Sequence, residues 1–347
     1  MTLVHFNARL RLLITGLSAM LNPVQHCHTG GYLYKTDANR QKEPQVESTQ
    51  VLTVVTRSEQ PDLWEQIKAL VGNMSVAENL AAPGFNWLAE NKAADFHFNG
   101  ITAASGQLLT DRLEQQHWPV DFLLQRTEHR RKKLLVADME ATIIRQEMVD
   151  EMARVIGCED TIMAITRQAM AGELDFSRSL ELRIAAFKGQ PLSLMRDLCH
   201  CITPNPGAVT LIKTLRKHGV HTALVTGGFQ IFADHVMELC GFDHTSANRV
   251  ETEAQQFTGR LLGPVIDSQG KKAALFRLIR EQQLRPAQVC AVGDGANDVE
   301  MLIHAGLAVG YQPKEVLEPV VDLCIRHTDL TTLLYVQGYH RDEFAET

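Results

Sequence analysis

The stretch Leu134-Leu-Val-Ala-Asp-Met-Glu-Ala-Thr142 decides the fold. Its first four residues are apolar and read as a buried parallel strand, and the chain then turns directly onto two carboxylates and a hydroxyl. Asp138 therefore leaves the strand at its C-terminal end, the edge at which open α/β sheets hold their ligands. Two readings are open at this point. In one, Asp138 and Glu140 divide the roles of nucleophile or magnesium ligand and proton carrier, their pKa values pushed apart by their surroundings. In the other, Asp138 or Thr142 simply caps a following helix.

Distant stretches bear on that choice. Val289-Cys-Ala-Val-Gly-Asp294-Gly-Ala-Asn297-Asp298 again delivers an apolar strand onto acidic residues and a glycine turn, ahead of a helix expected over 299–305. Its glycine spacing is not that of a dinucleotide fingerprint, and its hard oxygen groups suit magnesium. Two strands that end in carboxylates favour a metal site over a pair of helix caps. A strand expected over 220–225 ends at Thr226-Gly-Gly-Phe229, where glycines let backbone N–H groups approach an anion, although an ordinary strand-to-helix turn has the same composition. Lys271 and Lys272 open the next helix, where a cation opposes the helix dipole; another use for the lysine, or simple exposure, is implied.

Between residues 142 and 204 the periodicity is helical throughout. Met148, Met152, Val155 and Ile156 fall at helix spacing, and further helices are expected over 161–170, 176–187 and 192–201, with Pro204-Asn-Pro-Gly207 marking the return to the sheet. An all-helical insertion between the first and second strands has the form of a cap over an active site. Upstream, strands expected at 51–56, 85–88, 96–98 and 120–124 alternate with helices at 61–71 and 107–116, the order β-α-β-β-α-β. That segment carries no catalytic cluster, so an effector-binding or oligomerising module and a structural appendage are both open. The charged run at 126–133 reads as a solvated connection. Residues 1–50 lack this regularity; the apolar stretch from Leu10 to Leu21 is too short to span a bilayer and has no small-residue cleavage site, so a disordered or misassigned leader is expected.

With 347 residues, two or three domains are expected. Apolar residues at 45% and charged residues at 22% are ordinary for a globular chain. A formal net charge of -7 argues against general nucleic-acid binding, and the lack of any other long apolar run argues against a membrane domain. Seven scattered cysteines form neither a disulfide framework nor a zinc-ribbon spacing, which points to a reducing cytoplasm. Neither His26-Cys27-His28 nor Cys199-His200-Cys201 reads as a metal centre.

In chain order, Asp138-x-Glu140-x-Thr142, Thr226-Gly-Gly, Lys271 and Gly293-Asp294-Gly-x-Asn297-Asp298 resemble the four motifs of the haloacid dehalogenase superfamily. Gln146-Glu147-x-x-Asp150-Glu151, Ala169-Met170-x-Gly172-x-Leu174-x-Phe176, Ser179-Leu180-x-x-Arg183 and Gln337-Gly-Tyr339 narrow the resemblance to the phosphoserine phosphatase family, from about residue 134 to the end. The resemblance implies a Rossmann-like parallel α/β sheet over 134–347 with a helical cap at about 148–204. Residues 51–126 resemble, in layout only, small α+β regulatory modules of ferredoxin or ACT type.

The activity so implied is magnesium-dependent hydrolysis of O-phospho-L-serine, the last step of serine biosynthesis, through an aspartyl-phosphate. Asp138 is the implied nucleophile, Glu140 the acid and base, and Thr226 and Lys271 the holders of the phosphoryl group. Magnesium is expected on Asp138, the backbone carbonyl of Glu140 and Asp294, with Asp298 orienting Lys271 or a coordinated water. For the serine end, the resemblance implies Glu147 for the ammonium and Arg183 for the carboxylate. Met170 and Phe176 are expected to line the pocket, and Gly227 and Asn297 to add hydrogen bonds. The implied partner is a small molecule, with no nucleic acid and no membrane; a homodimer is the assembly to test. Most members carry aspartate at the position of Glu140, and the extra methylene displaces the carboxyl by roughly an angstrom, a shift that can cost up to about a hundredfold. An active but slower enzyme is expected. Threonine at 226, where serine is commoner, keeps the hydroxyl. Alternatives are a related enzyme that hydrolyses or transfers the phosphoryl group of another small phosphomonoester, and a catalytically silent amino-acid sensor.

Overall fold

The computed structural model describes residues 49–78 and 80–346, so the leader expected over 1–50 lies, up to residue 48, outside the described residues. The rest is built on two sheets. The larger has seven strands: β5 (Leu134–Ala137), β6 (His221–Phe229), β7 (His244–Glu253), β8 (Gln256–Leu262), β9 (Val289–Gly293), β10 (Leu307–Tyr311) and β11 (Leu323–Ile325). Their spatial order is β11-β10-β9-β5-β6-β7-β8, parallel except for the antiparallel β7–β8 hairpin. Strand β5 is central, paired on one side with β6 and on the other with β9. It reads as a continuous apolar run because both faces are covered: Leu134 and Val136 face one hydrophobic cluster, Leu135 and Ala137 the other.

The chain leaves β5 for four helices, α3 (Met148–Ile156), α4 (Glu159–Met170), α5 (Phe176–Ala186) and α6 (Ser193–Cys199), before α7 (Ala208–Lys217) returns it to β6. The outgoing and returning segments are stitched together at the neck. Asn205 donates to the carbonyls of Thr142 (2.8 Å) and Ile144 (3.1 Å), and Arg145 N–H donates to Thr203 O at 3.0 Å. The cap also rests on the β7–β8 hairpin, where Phe257 N–H donates to Gln190 O and Gly189 N–H to Phe257 O, each at 2.9 Å. Helices α8 (Gln230–Cys240), α9 (Ser268–Glu281) and α10 (Val299–Leu302) complete the layers around the sheet.

The smaller sheet is antiparallel, in the order β2-β3-β1-β4, from β1 (Gln50–Thr56), β2 (Gly84–Ala89), β3 (Ala93–Phe98) and β4 (Val120–Arg126). Helices α1 (Pro61–Ala77) and α2 (Ala103–Glu114) cover one face, packing Trp64, Ile67, Leu109 and Leu113 on Leu52, Val54 and Phe96. Side chains of the opposite face, Val55, Ala93 and Leu123, join the core of the larger sheet. Residues Glu47–Thr347 accordingly make one compact unit.

The connection expected to be solvated at 126–133 is exposed at residues 126–128, 131 and 133, but two of its cations turn inward. Lys132 is buried and Arg130 half-buried, with the Arg130 side chain 11% exposed. The Arg130 guanidinium donates to both oxygens of Asp95 on β3 (2.7 Å each), to Thr53 Oγ1 on β1 (2.8 Å), and to Val336 O (2.8 Å) and Tyr335 O (3.1 Å) at the end of α11 (Thr332–Val336). Polar groups of two elements and a helix C-terminus that would otherwise be unsatisfied in the interior draw it inward.

Candidate active site

Because β6 and β9 flank β5 in parallel, the residues that follow all three strands meet at one edge. Asp138 comes from β5, Thr226 from the end of β6 and Asp294 from the turn after β9. Carboxylate oxygens of Asp138, Asp294 and Asp298 lie within 4.8 Å of one another, and all three residues are buried. The backbone at Gly293 sits so close to the Asp298 carboxyl that any side chain there would collide with it. Asp298 Oδ2 accepts hydrogen bonds from the N–H groups of Asp294 (3.1 Å) and Gly295 (3.2 Å), which shapes the turn.

Lys271 is fully buried at the first turn of α9, its Nζ 2.7 Å from Asp298 Oδ1 and 2.6 Å from Asp138 Oδ1. Both contacts put the ammonium at hydrogen-bonding distance from a carboxylate oxygen. Burial alone would lower the lysine pKa, but the two carboxylates more than offset it and the ammonium is held charged. An unfavourable place for the helix dipole is thus outweighed by two buried partners. For Asp138, burial and the repulsion of Asp298 push the pKa up to about 7, against the pull of Lys271.

Glu140 does not join the carboxylate cluster. Its Oε1 accepts a hydrogen bond of 2.9 Å from Met148 N–H at the start of α3, and burial and the nearby Glu147 push its pKa up to about 8. Ala141, next to it, takes the left-handed backbone region (φ +53°), which a residue with a Cβ adopts only at a cost. Strand β6, expected to end at 225, runs on to Phe229 with an irregularity after Val225, and there Thr226 Oγ1 accepts from Gly228 N–H at 2.9 Å.

From the cap, Phe176 lies over Gly227; a Cβ at Gly227 would be 2.7 Å from the ring. Glu147 stands at the N-terminus of α3 with an open edge to solvent, its pKa raised by burial and by Asp294 and pulled back by Lys314 and Arg183. The Arg183 guanidinium donates to Thr166 Oγ1 at 3.1 Å, while its Nε is buried with no partner among the described residues. Asn297 is half-buried in the turn after β9. The side chain of Met170 lies outside the described residues.

Two residues at the site carried no signal in the sequence reading. Lys314, after β10, holds Asp294 twice, by its N–H to the backbone carbonyl (2.9 Å) and by Nζ to Oδ2 (2.8 Å). Asn248, buried on β7, donates to Gly227 O (2.8 Å) and accepts from Ile266 N–H (2.7 Å), bracing the Thr226-Gly-Gly turn from behind. A lysine after a proline and an asparagine inside a strand are common residues in unremarkable contexts. Only the contacts distinguish them.

The donor set fits a hard divalent cation. Asp138 and Asp294 bring buried carboxylate oxygens within 4.8 Å of each other, an all-oxygen pair of the kind a hard cation takes. Asp298 has both oxygens engaged by N–H donors and so is left to hold Lys271 and the turn.

The family model described as haloacid dehalogenase-like hydrolase matches residues 135–302. The chain is 35% identical over 205 residues to the phosphoserine phosphatase of Methanocaldococcus jannaschii, spanning 59% of this chain and 97% of that protein. The chain belongs to the phosphoserine phosphatase family of haloacid dehalogenase-like hydrolases. Among solved structures, a hydrolase of the same superfamily from Salmonella enterica covers 84% of this chain and 98% of its own, at 26% identity and a TM-score of 0.73. A phosphoserine phosphatase solved as a phospho-aspartyl intermediate analogue is 35% identical over 59% of this chain and 98% of its own, with a TM-score of 0.55. The chain spans between 52% and 66% of the length of the first curated relatives that it matches. No helix among the described residues is long and apolar enough to cross a membrane.

Proposed function

We propose that this chain hydrolyses O-phospho-L-serine to serine and phosphate in the cytoplasm, with magnesium, through an aspartyl-phosphate on Asp138. The observation that carries this reading is the convergence of Asp138, Asp294 and Asp298 around a buried Lys271. A carboxylate in that position offers an oxygen nucleophile to phosphorus and has a fixed cation beside it for the phosphoryl oxygens. Relatives named for this activity, and one solved as an analogue of a phospho-aspartyl intermediate, support the same reading.

In the first half-reaction Asp138 forms a bond to phosphorus as the bond from phosphorus to the serine oxygen breaks, and Glu140 gives that oxygen its proton. With its pKa near 8, Glu140 is protonated at neutral pH and can act as the acid. In the second, water attacks phosphorus, Glu140 takes its proton, and the Asp138–phosphorus bond breaks. Lys271 and Thr226 hold the phosphoryl oxygens through both. Magnesium, when bound by Asp138, the Glu140 carbonyl and Asp294, would supply positive charge that favours ionised Asp138 and draws charge from the phosphoryl group.

The serine end is assigned to the cap. Arg183 offers a buried N–H with no partner, suited to a carboxylate, and Glu147 offers the opposite charge to an ammonium. Gly227, Asn297, Met170 and Phe176 complete the pocket in this reading. The test is phosphate release from phosphoserine and from phosphoethanolamine, which lacks the carboxylate, by the wild type and Arg183→Ala. The expected result is a loss of about a hundredfold on phosphoserine, the equivalent of ~3 kcal/mol for a charged pair, with a much smaller loss on phosphoethanolamine. Equal losses on both would contradict the assignment.

A further inference from the structure

Arg183 extends from α5 on a long, flexible side chain whose charge is felt at Glu147, and something must decide which way its guanidinium faces. Thr166, one helix away on α4, is placed to do so. Its hydroxyl proton is committed to Ile162 O at 3.0 Å, one turn back along α4. The oxygen's lone pairs therefore face outward, and one accepts the hydrogen bond from Arg183 Nη2 at 3.1 Å. Of the two χ1 rotamers open to a helical threonine, the bond to Ile162 O selects one, so the acceptor stays where that bond puts it. With Nη2 anchored, Nε lies buried without a partner, a donor whose loss of hydration is offset only when an anion arrives.

We infer that Thr166 is a positioning residue that fixes the rotamer of Arg183 and so sets selectivity for substrates carrying a carboxylate. The inference rests on the assignment of Arg183 to the substrate carboxylate. Thr166 does not touch the reacting atoms; it acts through Arg183 alone. Valine at this position keeps the shape and the β-branch but removes the acceptor, leaving the guanidinium free to turn. Serine keeps the acceptor in a smaller side chain.

The experiment compares wild type, Thr166→Val and Thr166→Ser through the ratio of kcat/KM on phosphoserine to kcat/KM on phosphoethanolamine, with magnesium present. Such a ratio does not depend on how much of each preparation is active, so partial misfolding does not mimic the effect. In Thr166→Val the ratio is expected to fall about tenfold, mainly through KM for phosphoserine, as loss of one hydrogen bond to a charged group implies. Thr166→Ser is expected to restore most of it. A wild-type preference for phosphoserine that survives intact in Thr166→Val would overturn the role of Thr166 while leaving that of Arg183 standing. A wild type with no preference between the two substrates would overturn the carboxylate assignment, and this inference with it.

Discussion

Asp138 and Glu140 sit two residues apart, yet their environments give them different tasks. Asp138 lies against a buried ammonium; Glu140 turns away to the first N–H of a helix. Replacing Glu140 by Gln keeps the hydrogen bond from Met148 and removes only the titrating proton, so a drop in kcat of at least about a hundredfold is expected in steady-state phosphate release. Both carboxyls have folded-state pKa values, about 7 and about 8, above their ordinary ones near 4. Without metal, the folded protein therefore binds protons that the unfolded chain does not, and the stabilisation from those protons is lost as pH rises from about 4 through 8. A divalent cation favours the ionised form and so must displace protons. Magnesium binding near pH 6.5 is expected to release protons and to weaken on further acidification, which calorimetric titration in two buffers of different ionisation enthalpy measures. Binding without proton release at that pH would contradict the assignment of Asp138 as a ligand.

At the level of elements, what could be read in advance follows from what the chain needs locally. Strands β5, β6 and β9 are short apolar runs ended by glycine or aspartate, and the cap is a set of amphipathic helices; each pattern is complete within about ten residues. Asn248 was not legible because its function is to join the backbone of β6 at Gly227 to the loop at Ile266, which lie 21 and 18 residues away. Asn248→Ala leaves a buried carbonyl and a half-buried N–H without partners. A stability loss of about 2 kcal/mol is expected in denaturant unfolding, along with a fall in kcat as the Thr226-Gly-Gly turn loosens. The C-terminal strands β10 and β11 and helix α11 are short and were not anticipated, although β10 carries Lys314 onto Asp294.

On the scale of the whole molecule, the small antiparallel sheet is not an appendage on a solvated tether. Its inner face shares the core of the larger sheet, and Arg130, in the connection between them, ties β1 and β3 to the end of α11. A run of eight mostly charged residues gave no hint of this, because which cation turns inward depends on Asp95, 35 residues upstream, and on carbonyls more than 200 residues downstream. Arg130→Met strands the Asp95 carboxylate, and a loss of about 3–5 kcal/mol is expected in unfolding experiments. The same long-range assembly brings Asp138, Lys271 and Asp294 to one point, and the account stands on what that point does to phosphoserine. Protein mixed with phosphoserine and magnesium, quenched in acid within a turnover and digested for mass spectrometry, is expected to carry a phosphoryl group on the peptide containing Asp138, and none when magnesium is chelated or Asp138 is replaced by Asn. Phosphate release that proceeds in Asp138→Asn, or a phosphoryl group found on another residue, would contradict it.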